Sequence, residues 1–229
     1  MNNCAHSGGE DTGSLNVYYF VTCVSGCGLR YPAAQISDIR QTCPRCGGPV
    51  HITRYTPSQR AYETSVPTVH NRASISVLAD NVRSVFNVGS IFRCADGARV
   101  AHLYLCGISP TPDHPKIAKT ALGAERSVPW SYHPNSVCIA STLVDLGYAV
   151  WALDTMEGSK SLFDLKALSG QSRIVLAVGN ELCGLDPLLV EQCSRTIRIP
   201  MAGHKRSLNV AIALGISVYW LLGRQLIEQ

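Results

Sequence analysis

Cys23, Cys27, Cys43 and Cys46 fall in a C-x3-C pair and a C-x2-C pair separated by fifteen residues. Thiolates are soft ligands; a tight turn lets two of them approach one ion, and two such turns complete the tetrahedron that zinc prefers. Gly26, Gly28, Gly47 and Gly48 stand where those turns need unusual backbone angles. With all four positions filled by cysteine no coordination site stays open, so the zinc expected here is structural. A unit of roughly forty residues with few large aliphatics depends on such a metal to fold. Two disulfides or four independent thiols are the alternative. Cys94, Cys106, Cys138, Cys183 and Cys193 are scattered through apolar segments, where cysteine behaves as a small hydrophobe, and the set fits a reducing cytoplasm.

A second group of residues lies further along. NVRSVFNVGSIFRCADG (81–97) places Asn87 and Arg93 six residues apart at the start of a helix pattern, VLAVGNELCGL (175–185) ends an apolar run on Gly179, Asn180 and Glu181, and IRIPMAGHKRSLNVAIALGISVY (197–219) joins a strand to an apolar helix through a glycine-containing loop. Neither a G-x-G-x-x-G fingerprint nor a G-x-x-x-x-G-K-[ST] loop is present, so dinucleotide and nucleoside-triphosphate binding lack their sequence support. Each residue also has a plainer reading: Asn87 as the N-cap of its helix, Asn209 with Ser207 as the cap of the last helix, Arg93 as a solvated surface arginine.

The elements that must position these residues follow from composition and periodicity. The chain has 229 residues, is 46% hydrophobic and carries a formal charge of +4, enough for one well-cored domain and a small accessory module. The mild positive bias suits a polyanion without requiring one. Residues 1–15 read as a disordered tail, 16–56 as a zinc ribbon with strands VYYFVTC and PVHITRY, 57–72 as a linker, and 73–229 as an α/β domain with a mainly parallel sheet. Strands are expected over 74–79, 101–107, 148–154, 173–179 and 195–201, and helices over 87–98, 135–146, 184–193 and 207–225. The polar N-terminus does not resemble a secretion signal, and the apolar stretch 208–222 is too short and interrupted to cross a bilayer. These features predict a cytoplasmic protein with no membrane partner.

N-x-G-x-x-x-R, G-N-E-x-x-G-L and I-P-M-x-G-x-x-x-S-L-N-V-A, in this order, resemble the three motifs of the SpoU/TrmH family of RNA ribose 2′-O-methyltransferases within the SPOUT superfamily; KTALGAE (119–125) resembles the loop that follows that family's second strand. The resemblance spans about residues 74–225. It implies a knotted α/β domain with a trefoil knot, a homodimer, S-adenosylmethionine as methyl donor and a tRNA or rRNA substrate. It further implies that Arg93 and Asn87 face the target ribose, that Glu181 and Asn209 organise the site with Ser207 close by, and that Val178, Gly179, Asn180, Ile199, Pro200, Met201, Gly203, Ser207, Leu208 and Asn209 hold the cofactor.

The residues are compatible with these roles. Gly179 and Gly203 would allow close backbone approach to a ligand, and Ile199, Pro200, Met201 and Leu208 would wall an adenine. A guanidinium almost never gives up its proton, so Arg93 is better suited to hold phosphate and stabilise an emerging alkoxide than to act as a base. Glu181 reads as a hydrogen-bonding brace ahead of a general base. Arg93, Lys119, Arg126, Lys205 and Arg206 are the cations expected to meet RNA. A non-catalytic zinc-ribbon RNA-binding protein and an enzyme methylating a base nitrogen remain the competing functions.

Overall fold

The computed structural model describes residues 18–25, 27–33, 35–55, 74–165 and 173–227. The tail expected over 1–15 and the linker over 57–72 lie outside these residues. Two compact units divide the chain, Met1–Pro67 and Thr68–Gln229, and each is described by itself.

The first unit is a three-stranded antiparallel sheet of β1 (Tyr18–Cys23), β2 (Arg30–Ala33) and β3 (Val50–Tyr55) in the order β2-β1-β3. Alternation along β1 and β2 turns Val21, Cys23 and Ala33 inward, where all three are buried. The two cysteine turns close on backbone hydrogen bonds, Cys23 N–H to the Leu29 carbonyl at 2.9 Å and Gly47 N–H to the Cys43 carbonyl at 2.8 Å. Gly28 and Gly47 both have φ of 71°, the left-handed region that the turn demands and only glycine enters freely. Gly48 serves differently: a Cβ there would lie 2.1 Å from the Ser25 hydroxyl oxygen. Gly26 lies outside the described residues. β2, without an alternating apolar pattern of its own, was not expected from sequence.

The second unit contains β4 (Ser74–Asp80), α1 (Val85–Gly97), β5 (Leu103–Cys106), α2 (Ile117–Ala121), α3 (Ala124–Ser127), β6 (Trp130–His133), α4 (Ser136–Asp145), β7 (Ala149–Leu153), β8 (Lys160–Ser161), β9 (Arg173–Val178), α5 (Pro187–Glu191), β10 (Arg195–Arg198) and α6 (Val210–Ile227). Its seven-stranded sheet runs β6-β5-β4-β9-β7-β10-β8, with every pairing parallel. Helices cover both faces, which is why the central strands read as continuous apolar runs. On one face Val77, Ile174 and Leu176 pack with Ile91 and Phe92 of α1 and Leu214, Val218 and Leu221 of α6. On the other, Leu78, Val175 and Ala177 pack with Ala140 and Leu143 of α4 and Leu189 of α5. All five strands expected in this unit are present, four with trimmed ends and β4 one residue longer, whereas the helix expected over 184–193 shortens to Pro187–Glu191 because residues up to Asp186 are taken by a turn and its cap. β6, β8, α2 and α3 are additional: each is too short to display a period. Among the described residues, no helix is long and apolar enough to cross a membrane.

Candidate functional site

Four neighbouring strands, β4, β9, β7 and β10, end on the same side of the sheet, the place where parallel α/β sheets bind ligands. There the segments after β7, β9 and β10 and the start of α6 enclose a cavity of about 430 Å³, within the roughly 300–1,000 Å³ of small-molecule sites. Val178, Gly179, Asn180, Glu181, Ile199, Met201, Ser207, Leu208 and Asn209 line it together, as do Leu153, Asp154, Thr155, Gly184 and Arg198, which sequence reasoning missed. Pro200 and Gly203 are not among the lining residues. Asp154 and Thr155 could have been sought, since they follow an apolar strand directly, but nothing in their types marked them.

The loop after β9 is built from its own polar groups. Asn180 donates its side-chain N–H to the Asn81 carbonyl at 2.7 Å and its Oδ1 accepts from the Leu182 and Cys183 N–H groups at 2.9 and 3.2 Å. It is therefore committed to shaping the loop. Gly179 is required for the same reason: a Cβ would lie 2.2 Å from the Gly184 carbonyl carbon, across the Asn180–Gly184 bridge. A Cβ on Gly203 would meet no protein atom within 4 Å, so packing within the chain does not require glycine there. Asp154 receives the Leu185 N–H at 3.4 Å, and buried Asp80 receives the Asp186 N–H at 2.9 Å, pinning the loop's far end.

Side chains of the three motifs form one hydrogen-bonded chain. Glu181 accepts from the backbone N–H groups of Arg83 (2.9 Å) and Ser84 (3.0 Å) and from the Asn87 amide at 2.8 Å. Asn87 in turn accepts from the Asn209 amide at 3.0 Å, and Asn209 Oδ1 accepts from the Ala211 and Ile212 N–H groups at 3.0 and 3.4 Å, capping α6. Asn209 thus serves both as helix cap and as link. The N-cap of α1 is Ser84, whose hydroxyl accepts from the Asn87 N–H, so the reading of Asn87 as a cap fails; three residues inside the helix, its side chain is free to bridge. Burial pushes the Glu181 carboxyl up, but hydrogen bonds from Arg83, Asn87 and Ser84 outweigh it and hold it below its ordinary value.

Arg93 is not at this cavity. One turn of helix takes 3.6 residues, so six residues place it about 120° around α1 from Asn87. It is exposed and, with Asp96, Leu122, Gly123 and Ser127, lines a second cavity of about 440 Å³. Lys119, Arg126, Lys205 and Arg206 are all exposed; Arg126 pairs with the neighbouring Glu125 at 3.6 Å, a surface contact of little energetic weight.

In the first unit the Sγ atoms of Cys23, Cys27, Cys43 and Cys46 all lie within 4.8 Å of one another, and Cys23–Cys46 and Cys27–Cys43 are each 3.5 Å apart. Four sulfurs about 2.3 Å from one zinc would stand roughly 3.8 Å apart, so the cluster fits that ion; the distances are too long for disulfides. Four thiols so close cannot all ionise unaided. The Cys27 thiol, hydrogen-bonding Cys23, draws Cys23 down to about 6, while Cys27, despite the Leu29 backbone group that favours its thiolate, is held up at about 12 by Cys23 and its other neighbours. Of the other cysteines, Cys106 is buried and pushed by desolvation to about 12, Cys94 and Cys193 are half-buried, and Cys138 and Cys183 are exposed rather than packed in the core.

Residues 74–219 match the SpoU rRNA Methylase family. A 23S rRNA (guanosine-2'-O-)-methyltransferase RlmB from Burkholderia sp is 32% identical over 176 residues, covering 73% of this chain and 67% of that protein. The crystal structure of the A. aeolicus TrmH/SpoU tRNA modifying enzyme superposes with a TM-score of 0.61 at 27% identity, covering 69% of this chain and 78% of that one. An AdoMet-bound rRNA methyltransferase from Sinorhizobium meliloti superposes with a TM-score of 0.57 at 27% identity, covering 67% of this chain and 57% of that one. With its three motifs gathered at the carboxyl ends of a parallel sheet, the chain belongs to the SpoU rRNA methylase family.

Proposed function

We propose that this protein methylates a ribose 2′-hydroxyl in tRNA or rRNA, using S-adenosylmethionine. The observation that carries the reading is the Glu181–Asn87–Asn209 chain beside the cavity at the strand ends, together with relatives whose own names specify 2′-O methylation of guanosine in rRNA. The apolar walls from Leu153, Ile199 and Leu208 suit an adenine, and the Asp154 and Glu181 carboxylates at the same cavity suit the positive charges of the donor. S-adenosylmethionine, when bound, supplies an electrophilic methyl group on a sulfonium.

The chain's residues must then position a hydroxyl and ease the loss of its proton. Glu181 already accepts three hydrogen bonds and is a weaker base than an ordinary carboxylate, so we assign it to holding the loop against α1. Arg93 supplies a fixed positive charge for a phosphate or a developing alkoxide. Because it faces a different cavity from the one proposed for the donor, the reading includes a homodimer in which a second copy completes the site. Exposed Phe86, Leu122, Ile212, Ile216 and Tyr219 on α1, α6 and the turn after α2 supply the apolar surface for that contact. We further propose one structural zinc on the four cysteines, a trefoil knot as in the SPOUT architecture, domain limits at 16–56 and 73–229, and a cytoplasmic location, which suits nine described cysteines that are all unbridged.

The deciding experiment incubates the purified chain with S-adenosylmethionine and total cellular RNA, digests the RNA to nucleosides and identifies the methylated products by mass. Ribose-methylated nucleosides are the expected result; base-methylated nucleosides, or no product, would overturn the assignment.

A further inference from the structure

Residues paired across an antiparallel sheet share a face. In the ribbon, Thr22 pairs with Arg30 and with His51, and Phe20 pairs with Pro32 and with Thr53. These six residues therefore occupy the side of the sheet opposite buried Val21, Cys23 and Ala33. Arg30, Pro32, His51 and Thr53 are exposed, and Phe20 and Thr22 are half-buried. Among the described residues the face carries no carboxylate, and across residues 18–55 they hold four arginines, Arg30, Arg40, Arg45 and Arg54, against one acid, Asp38.

Its centre is organised. The Arg30 guanidinium lies 4.9 Å from the centroid of the Phe20 ring and donates to the Thr22 hydroxyl at 2.7 Å, which fixes the plane of the fork while leaving its other N–H groups available. A planar cation over an aromatic ring, with a hydroxyl and an imidazole in the next pairing, combines a π surface, a positive charge and hydrogen-bonding groups. A base inside a duplex has both faces covered by its neighbours and cannot use such a platform. An unstacked base can, on aromatic rings and guanidinium planes alike.

We propose that this outer face of the ribbon sheet binds a single-stranded segment of RNA, with one base stacking on the exposed Arg30 guanidinium plane that Phe20 backs, and the flanking phosphate meeting Arg30 and His51. The proposal rests on the RNA reading above and gives the ribbon its part in it: selecting an unpaired stretch of the substrate. Thr22 has already set the Arg30 side chain, so little rotamer freedom remains to be lost on binding.

The test measures fluorescence anisotropy of the full-length protein with a labelled twelve-nucleotide RNA single strand of mixed sequence and with the corresponding duplex, at one fixed salt concentration. Phe20→Leu keeps apolar volume and removes the ring that backs the guanidinium; Arg30→Ala removes the exposed guanidinium, and Arg30→Lys keeps the charge without the plane. Zinc content and S-adenosylmethionine binding are measured on each variant. The wild type is expected to prefer the single strand. Each variant should lose about tenfold or more of that affinity, with duplex binding changed less and zinc and cofactor binding retained. Should Phe20→Leu lose zinc, the two Arg30 variants decide. A wild type that prefers the duplex or ignores both probes overturns the proposal. So do Arg30 variants that bind the single strand normally, or variants that lose affinity for strand and duplex equally, which would reduce the face to phosphate contact. Methyl transfer to total RNA is followed in parallel. Its absence with the single-strand effect intact removes the methyltransferase reading alone; its presence with unaltered variants removes the face alone.

Discussion

Glu181 has every feature of a brace: two backbone N–H groups at the start of α1 and the Asn87 amide all converge on its carboxylate. Glu181→Gln keeps one acceptor oxygen but turns an amide NH2 toward groups that also donate. Stability should fall by about 1 kcal/mol, the value of a partly exposed charged hydrogen bond after solvent screening, while methyl transfer stays within about tenfold of wild type; a loss beyond about a hundredfold would instead mark a general base. The pH dependence has a fixed sign. Because the folded carboxyl titrates below its ordinary value of 4.5, its contribution is fully present above that value and disappears as pH falls through the lowered folded value. Acid unfolding followed by circular dichroism should therefore show wild type and Glu181→Gln converging toward the acid end. Arg93 has a separate test. Arg93→Ala should leave S-adenosylmethionine binding unchanged by calorimetry and lower methyl transfer about a hundredfold or more, the scale of losing one electrostatic partner of a developing oxyanion. Normal transfer would remove Arg93 from the reaction.

Elements divide the labour between the two units. Each has its own buried residues, Val21, Cys23, Ala33 and Cys43 in the first and the two-faced core of the seven-stranded sheet in the second. The ribbon's three short strands bury little apolar surface, so the structural zinc proposed for its four sulfurs is expected to be needed for folding. Cys43→Ser should release zinc, measured by elemental analysis at about one ion per wild-type chain, and unfold the ribbon. S-adenosylmethionine binding should persist, since the residues that line the cavity, in the segments after β7, β9 and β10 and at the start of α6, all belong to the second unit. Loss of cofactor binding in that variant would mean that the second unit depends on the first. Within the second unit, α6 is tied to α1 by both packing and the Asn209–Asn87 hydrogen bond, so the cap that starts α6 also sets the wall of the cavity.

For the whole molecule, α6 buries Leu214, Val218 and Leu221 against the sheet while leaving Ile212, Ile216 and Tyr219 exposed at spacings of four and three on another side. A helix apolar on both sides is expected to meet a second surface, and an isologous dimer would supply it. Light scattering should give twice the chain mass, and Ile216→Glu should yield a monomer that still binds S-adenosylmethionine but methylates poorly. Mixing Arg93→Ala with Asn209→Ala should restore transfer well above either variant alone if the two cavities of different copies cooperate; no recovery would confine the reaction to one chain.

By itself the sequence determined the zinc-ready cysteines, five strands of the sheet, and the three motifs that carry the family resemblance. These are local signals: thiol spacing, runs of β-branched residues and glycine-rich turns all act within a few residues of the chain. Segments too short for a period, such as β6 (WSYH) and β2 (RYPA), left no such signal. Tertiary structure alone decided which loops meet. The order β4-β9-β7-β10 joins strands up to about a hundred residues apart, bringing Asp154 and Thr155 to the cavity, turning Asn180 inward to brace its own loop, and placing Gly179 against Gly184. Helical rotation, a local property, separates Asn87 from Arg93 by about 120°, and only the packing of α1 beside the loop after β9 decided that the Asn87 side is the one that meets Glu181.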